Sequence, residues 1–521
     1  MTAPRFGMAA VWLAVFACDP KRHRDPPGTE TAETSPSGET GSVETGADTA
    51  PVDSEHGETS PPDSRGDTEV GPDTEDTEGD GPSGEVFPCG GWATRPAPMG
   101  EILLSDADAI MEFADGNLQN GFVADDDGDG CATMALVTGQ LPFDYDVALL
   151  PGTLAGEFSV VDASDAIVTS QSYHQLTPIA IGDMDGDGCA GDWLMGAIAG
   201  LSYEVDGFTG AVYMFTAPLS GEYAEPDADA TVWPPTDSTR FADDISVGDA
   251  GGDGVDDLAV GWLYDDLSRS CVYLFEGPIS AETSSDEAVA TFEKTAPDDG
   301  SFGQHLTMQS DLNADGLKDL VPTAFYLSHF VGGLYVFYAP FSGSYQAEDA
   351  DVFLAGESGY SNTGQGIAGG ADADQDGYED LLVSAPTAGT VYLVTGPVAE
   401  GATLTHASGA VISGGLTLGL DSVSLNQDLD ADGFPDPAMA DMEYRLSIGD
   451  MSGTVFLFYG PLSGHVSVAD ADAVFYEDSD DYRYEHLMSG AVAGGDTDGD
   501  GFDDLLITST GPAHIFRGGP R

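Results

Sequence analysis

The sequence predicts an all-β fold: a seven-bladed β-propeller of four-stranded antiparallel blades, closed by its N-terminal strand and preceded by a disordered linker. Three recurring signatures carry that prediction. The first is an Asp-rich loop, most complete in GGDTDGDGFDDLLI at residues 494–507, which begins at Asp125, Asp183, Asp249, Asp311, Asp372, Asp428 and Asp496. Its mean spacing is about 62 residues, the scale of a repeat that forms one supersecondary unit. The second is a Gly-flanked apolar run after each loop: TGAVYMFTAP, RSCVYLFEGP, GGLYVFYAP, GTVYLVTGP and SGTVFLFYGP, with weaker forms FDYDVALLPG first and PAHIFRGGP last. The third is an Ala/Asp-rich segment: SDADAIMEF, VDASDAIVTS, EPDADATVW, SDEAVATFE, AEDADVFLA, ASGAVISG and VADADAVFY.

Each unit thus offers four short strands. A first strand such as SFGQHLTMQS leads into the acidic loop; a second, such as DLLVSAP, leads out of it. The Gly-flanked run and the Ala/Asp segment supply the third and fourth. Four strands per repeat describe a propeller blade. Runs such as VFLFY at 455–459 do not alternate with polar residues, which suits strands buried on both faces between stacked blades. No unit carries the Gly-His and Trp-Asp pattern of another common propeller type. The folded region opens with an Ala/Asp segment at 105–113, whereas the last unit ends without one. The first strand is therefore expected to complete the last blade, removing the free edges that make open sheets aggregate.

Composition sets the partners. Fourteen Lys and Arg against 92 Asp and Glu give a net charge of −78, which repels nucleic acid phosphates and anionic lipid headgroups and favours cations. A hydrophobic content of 41% is too high for a disordered chain, so a core is present. Residues 1–17 form a basic start and an apolar stretch too short to span a bilayer, the pattern of a signal peptide. Val15-Phe16-Ala17-Cys18 resembles a bacterial lipobox, which implies cleavage before Cys18 and lipid attachment to its sulfur; Asp19 resembles a residue that retains lipoproteins at the inner membrane in some bacteria. Residues 18–95 are an acidic Thr/Glu/Ser/Pro/Gly linker, as in TAETSPSGETGSVETGADTAPVDSEHGETS, unable to bury enough surface to offset ordering entropy. Arg65-Gly66-Asp67 spells a cell-attachment tripeptide there, a match that chance explains in so Gly- and Asp-rich a stretch. Residues 96–521 are the propeller.

Phe302-Gly303 in a first strand, the Asp-rich loops, and Ser384-Ala385-Pro386 ahead of Gly389-Thr390-Val391-Tyr392-Leu393 together resemble FG-GAP (VCBS) repeats, the units of the integrin α-chain propeller and of many bacterial surface proteins. The resemblance covers about residues 100–521, although several units lack a literal Phe-Gly or Gly-Ala-Pro. It implies calcium in the loops on one face and ligand recognition on the other.

The loop chemistry stands beside that resemblance. In loop seven, Asp496, Asp498 and Asp500 at positions 1, 3 and 5 can point inward, Gly501 permits a sharp turn, Phe502 offers its carbonyl, and Asp504 at position 9 closes an oxygen cage. A hard cation with several oxygen ligands and flexible geometry is Ca²⁺ rather than Mg²⁺. An EF-hand would need a bidentate Glu at position 12, where Ile507, Val383, Met439 and Pro322 stand instead. Asp372, Asp374, Asp376, Tyr378 and Asp380, and Asp428, Asp430, Asp432, Phe434 and Asp436, repeat the full pattern. Asp311, Asn313, Asp315, Leu317 and Asp319 substitute one amide oxygen. Loops one to three depart from it. Asp249, Asp253 and Asp257 lack a position-3 acid because of Gly251; Asp183, Asp185 and Asp187 meet Gly191 at position 9, with Asp192 one place late; Asp125, Asp127 and Asp129 meet Thr133. Several structural calcium ions are expected, each relieving the repulsion of clustered carboxylates.

Of the cysteines beyond Cys18, Cys131 and Cys189 share position 7 of adjacent loops, which favours a bridge between them among the three connectivities open to Cys89, Cys131, Cys189 and Cys271. Cys271, inside an apolar strand, equally suits a buried thiol. His174, His305 and His486 lie on first strands without a catalytic motif. Trp233, Trp262, Tyr326 and Tyr360 lie in or near connections, where they suit either a contact surface or blade packing. The expectation is an exported, lipid-anchored, non-enzymatic adhesion or recognition module for an extracellular protein or glycan. The alternatives are a hydrolase or lyase with a pocket on the central channel, and an envelope scaffold.

Overall fold

The structure is a computed structural model that describes residues 85–86, 89–90 and 95–521, apart from 113–116, 141–143, 171–173, 189–190, 200–209, 236–239, 264–269, 295–300, 326, 328–330, 358–359, 400, 418–419, 421, 443–452, 477–491 and 510. The expected signal peptide with Cys18, and nearly all of the linker, lie outside the described residues. Among those described, no helix is long and apolar enough to cross a membrane.

The chain is an all-β propeller with only short helical turns. Its third strands explain the apolar runs. Ser270–Phe275 is buried at every position: Cys271, Tyr273 and Phe275 pack on the second unit's Leu194, Val212 and Met214, while Val272 and Leu274 pack with the fourth unit's Leu320, Tyr335 and Phe337. A strand clamped between two neighbouring sheets has no face left for polar residues.

The expectation of seven separate blades is corrected: the described strands form six blades. Units one and two run together in one ten-stranded sheet, joined where Tyr145 pairs in parallel with Gln175. Unit four consists of two strand pairs, linked by the bridges Leu320 to Phe337 and Thr323 to Leu334.

Nor are the sheets purely four-stranded and antiparallel. Beyond its fourth strand, a sheet accepts a fifth in parallel register from the following unit: Gly221–Ala224 on Ala166–Thr169, Glu282–Ser284 on Ala230–Trp233, Gly343–Gln346 on Ala290–Lys294 and Gly464–Ser467 on Ser408–Ser413. Gly221, Gly343 and Gly464 start these strands at φ of +96°, +83° and +70°, where a side chain would be strained. The guest strand caps backbone groups that would otherwise be exposed at a sheet edge. A short helical turn then returns the chain to its own sheet, so the Ala/Asp signature is turn chemistry before it is strand. Its first acid caps the turn, Asp349 Oδ2 accepting from the Gln346 N–H at 2.8 Å. Its second fastens the third strand's exit, as Asp351 Oδ2 accepts from Tyr338 N–H at 3.0 Å and Asp472 Oδ2 from Tyr459 N–H at 2.9 Å.

At the seam, Ala109–Glu112 pairs antiparallel with Ala513–Phe516, and Gly100–Leu103 pairs in parallel with Ala473–Tyr476. The predicted strand at 105–113 begins later than expected, because Leu104–Asp106 forms the helical turn. Two residues assigned to the linker also join the sheet, Glu85 and Val86 pairing with Ala155 and Leu154. Removing residues 1–112 should abolish cooperative thermal unfolding and cause aggregation, whereas removing residues 1–84 should leave the melting temperature unchanged; calorimetry on the two truncations checks both outcomes.

Candidate metal centres

Each acidic loop joins a first strand to a second. In loop five, Asp372 Oδ1 accepts from the Asp376 N–H at 3.1 Å and its Oδ2 from the Gly377 N–H at 2.8 Å. Asp374 Oδ1 accepts from Asp376 N–H at 3.2 Å, and Asp376 Oδ1 from Tyr378 N–H at 3.0 Å. The backbone therefore occupies one oxygen each of Asp374 and Asp376 and leaves Oδ2 for another partner. The three carboxylates offer oxygens within 4.8 Å of one another. Similar convergence joins Asp428, Asp430 and Asp436, Asp125, Asp127 and Asp129, and Asp183, Asp185 and Asp192. Hard oxygens at this density fit a divalent cation.

Position 9 behaves differently from the rest. Asp380 is fully buried; its Oδ2 accepts from Ala373 N–H at 2.7 Å and its Oδ1 from Gly396 N–H at 2.9 Å. The carboxylate thus ties the loop's second residue to the exit of the third strand. Asp319 does the same with Leu312 and Ala339, Asp436 with Leu429 and Gly460, Asp504 with Thr497 and Gly518, and Asp257 with Ala250 and Gly277. Burial pushes Asp319, Asp380, Asp436 and Asp504 up to about 7 and Asp257 up to about 6.

The irregular loops keep this tie by other means. Loop two is one residue longer: a Cβ on Gly191 would lie 2.0 Å from the Asp126 carbonyl oxygen, so no Asp fits there. Asp192 takes over, accepting from Met184 N–H at 3.0 Å, and burial pushes it up to about 7. It was absent from the predicted ligand set, and its offset by one place was the available signal. Loop one inverts the roles. The acid is at position 2, Asp126, which accepts from the Thr133 hydroxyl at 2.6 Å and from Trp193 Nε1 at 3.0 Å. Loop three has the same backbone hydrogen bonds without a position-3 acid, Asp249 accepting from Gly254 N–H at 2.9 Å and Asp253 from Val255 N–H at 3.1 Å. Gly251 instead lines a cavity of about 290 Å³ with Asp257, Glu276 and Phe341.

Neighbouring loops are also bonded to each other. The position-8 N–H of Glu379 donates to the Asp311 carbonyl at 3.1 Å, that of Asp503 to Asp428 at 3.1 Å, that of Asp256 to Asp183 at 2.9 Å, and that of Lys318 to Asp249 at 3.0 Å. Across the seam, Ala132 N–H donates to the Asp496 carbonyl at 2.8 Å. Pro435 has no N–H to give, and Gln375 Nε2 reaches the Gly433 carbonyl at 2.8 Å instead. The loops form a belt in which position 1 of one unit is held by position 8 of the next.

Cys131 is bonded to Cys89, with a Cα–Cα distance of 5.8 Å, not to Cys189. Position 7 of loop one therefore faces the incoming N-terminal segment; Cys189 lies outside the described residues, and Cys271 is a buried cysteine.

At the opposite ends of the first strands, His305 Nδ1 lies 3.9 Å from Asp244 Oδ2, and Arg240 binds Asp243 at 2.7 Å. Burial holds His305 down at about 4 and raises Asp244 to about 7. Trp262 is buried against Tyr273, Trp233 donates to Glu282 at 2.6 Å, and Tyr360 is 62% exposed. Tyr326 and His486 lie outside the described residues.

No protein-family model matches the sequence. Integrin alpha-5 of Xenopus laevis is 28% identical over 163 residues, 29% of this chain and 14% of that protein. Integrin alpha-PS5 of Drosophila melanogaster is 28% identical over 166 residues, 29% of this chain and 16% of that protein. A segment of the chain is thus similar in sequence to integrin α chains. The matched segment is only a small part of either integrin. Among solved structures, the Dos1 propeller aligns with a TM-score of 0.40 and 11% identity over 79% of this chain and 98% of that one.

Two outcomes follow for these loops. Asp380→Ala leaves two buried N–H groups without an acceptor and should cost about 2–4 kcal/mol even in chelator, whereas Asp374→Asn should cost under about 0.5 kcal/mol there; urea unfolding measures both. In metal-free protein the raised position-9 carboxyls bind protons in the fold that the unfolded chain has already released. Stability in chelator should therefore fall as pH rises from about 4 to about 7, a slope that melting curves across that range would reveal.

Proposed function

We propose that this chain is a calcium-binding recognition or adhesion propeller, exported and held at a cell envelope through lipid on Cys18. The integrin similarity and the propeller fold fit a ligand-recognition or adhesion module. The observation that carries the metal assignment is the division of labour in loop five. Backbone N–H groups fix positions 1 and 9, while the remaining oxygens of Asp374 and Asp376 and the position-7 carbonyl of Tyr378 supply the further donors of a cage. Such a set of oxygens on a flexible turn suits Ca²⁺ better than Mg²⁺, which demands near-ideal octahedral geometry and keeps its waters.

The ion's role is structural. It binds the folded loop only, and each site held at a hundredfold excess over its dissociation constant adds about 2.7 kcal/mol. Because position 1 of loops two, three, four, six and seven is bonded to a neighbouring unit, ordering one loop steadies its neighbour. The partner, a protein or glycan, is expected on the face away from the belt, where Tyr360 is exposed.

Chelation should lower the melting temperature by several degrees and millimolar Ca²⁺ should restore it, with Asp376→Asn showing a smaller calcium response. An unchanged melting curve would contradict the structural role. Pull-down from envelope extracts with and without calcium tests the recognition role: a ligand retained only in calcium supports it, and none in either condition counts against it.

A further inference from the structure

Two arginines divide loops six and seven from the others. In loop six the Arg521 guanidinium pairs through Nε with Asp430 Oδ2 and through Nη2 with Asp432 Oδ2 at 2.6 Å, its carbon 4.8 Å from the centre of the Tyr459 ring. Asp430 Oδ1 and Asp432 Oδ1 are already taken, by the N–H groups of Asp432 and Phe434 at 3.0 Å each. The arginine therefore holds the very oxygens that loop five leaves open on Asp374 and Asp376.

Resting on the metal reading above, we propose that Arg521 is a built-in competitor for the cation position of loop six. A guanidinium and a divalent ion cannot share Asp430 Oδ2 and Asp432 Oδ2, and at such a separation they repel each other. Loop six consequently takes metal more weakly than loop five, and metal entry turns Arg521 out. Its side chain is 39% exposed, so it can leave without abandoning a buried charge. Arg517 also places a guanidinium in loop seven, on the acids of positions 3 and 9, but permanently. It binds Asp504 Oδ2 at 2.6 Å, lies 3.5 Å from Asp498 Oδ2, and donates to the carbonyls of Gly152 at 2.7 Å and Leu154 at 2.9 Å, with 4% of its surface exposed. Of the loops with the fullest ligand sets, five holds divalent metal unopposed, six holds it in competition, and seven is served by its own guanidinium.

The test uses terbium(III) in the full chain, with tryptophan placed at position 7 as a loop-specific sensitiser: Phe434→Trp for loop six, Tyr378→Trp for loop five. Arg521→Gln should lower the terbium concentration at half-maximal emission about tenfold for the loop-six reporter, as expected for removing a charge-assisted bidentate partner, and leave the loop-five reporter unchanged. Equal shifts in both reporters would mean a diffuse charge effect, and no shift in either would mean no competition; each result overturns the proposal while leaving the metal reading standing. Absence of terbium emission from both reporters, with Arg521 present or replaced, would overturn the metal reading itself and this proposal with it. Circular dichroism on every variant confirms that the fold is intact.

Discussion

The position-9 carboxylate is the constraint on which the architecture depends. It sits inside the protein, accepts one N–H from the start of its loop and another from the end of the third strand, and so fixes the angle between two strands that never pair directly at that point. Burying a carboxylate is costly unless its lone pairs are met. Meeting them with backbone donors from two segments turns that cost into a geometric lock. In the proposed calcium reading a cation would add to this lock rather than replace it, since the outward oxygens of positions 3 and 5 are the ones the lock does not use.

Much of this arrangement is legible in the residues alone. Regular recurrence of Asp at positions 1, 3, 5 and 9 marks the loops, because only a tight turn needs so many short acceptors so close together. Non-alternating runs such as SCVYLF mark strands buried on both faces. What stayed hidden has physical causes. Asp192 is displaced by a backbone contact with a neighbouring unit that linear spacing cannot show. Asp126 and Thr133 exchange roles, and either residue type can fill a hydrogen-bonding position in that pocket. GSYQ and GHVS are too short and polar to read as strands, since they bond along an edge and bury little of their own surface. The joining of units one and two through Tyr145 and Gln175 depends on backbone proximity that carries no residue signature.

The distribution of positive charge is as informative as the excess of negative charge. With 14 basic residues against 92 acidic ones, each cation that is placed inside the fold matters. Lys318 reaches Glu379 at 2.7 Å between loops four and five, and Arg517 joins the last loop to unit one. Where the ring must close, a covalently attached charge does not dissociate as an ion would. Under the proposed calcium reading, the seam would be independent of the solution's metal content while the interior of the belt would respond to it.

The bond between Cys89 and Cys131 gives the molecule a mechanical character. Residues 100–112 supply two strands that hold the ring shut, and a pull on the preceding chain would ordinarily peel them away one hydrogen bond at a time. With Cys89 fastened to loop one, that tension enters at residue 131 and bypasses the seam strands altogether. Tension applied through the chain before Cys89 would be carried by a covalent shunt instead of unzipping the fold from its first strand.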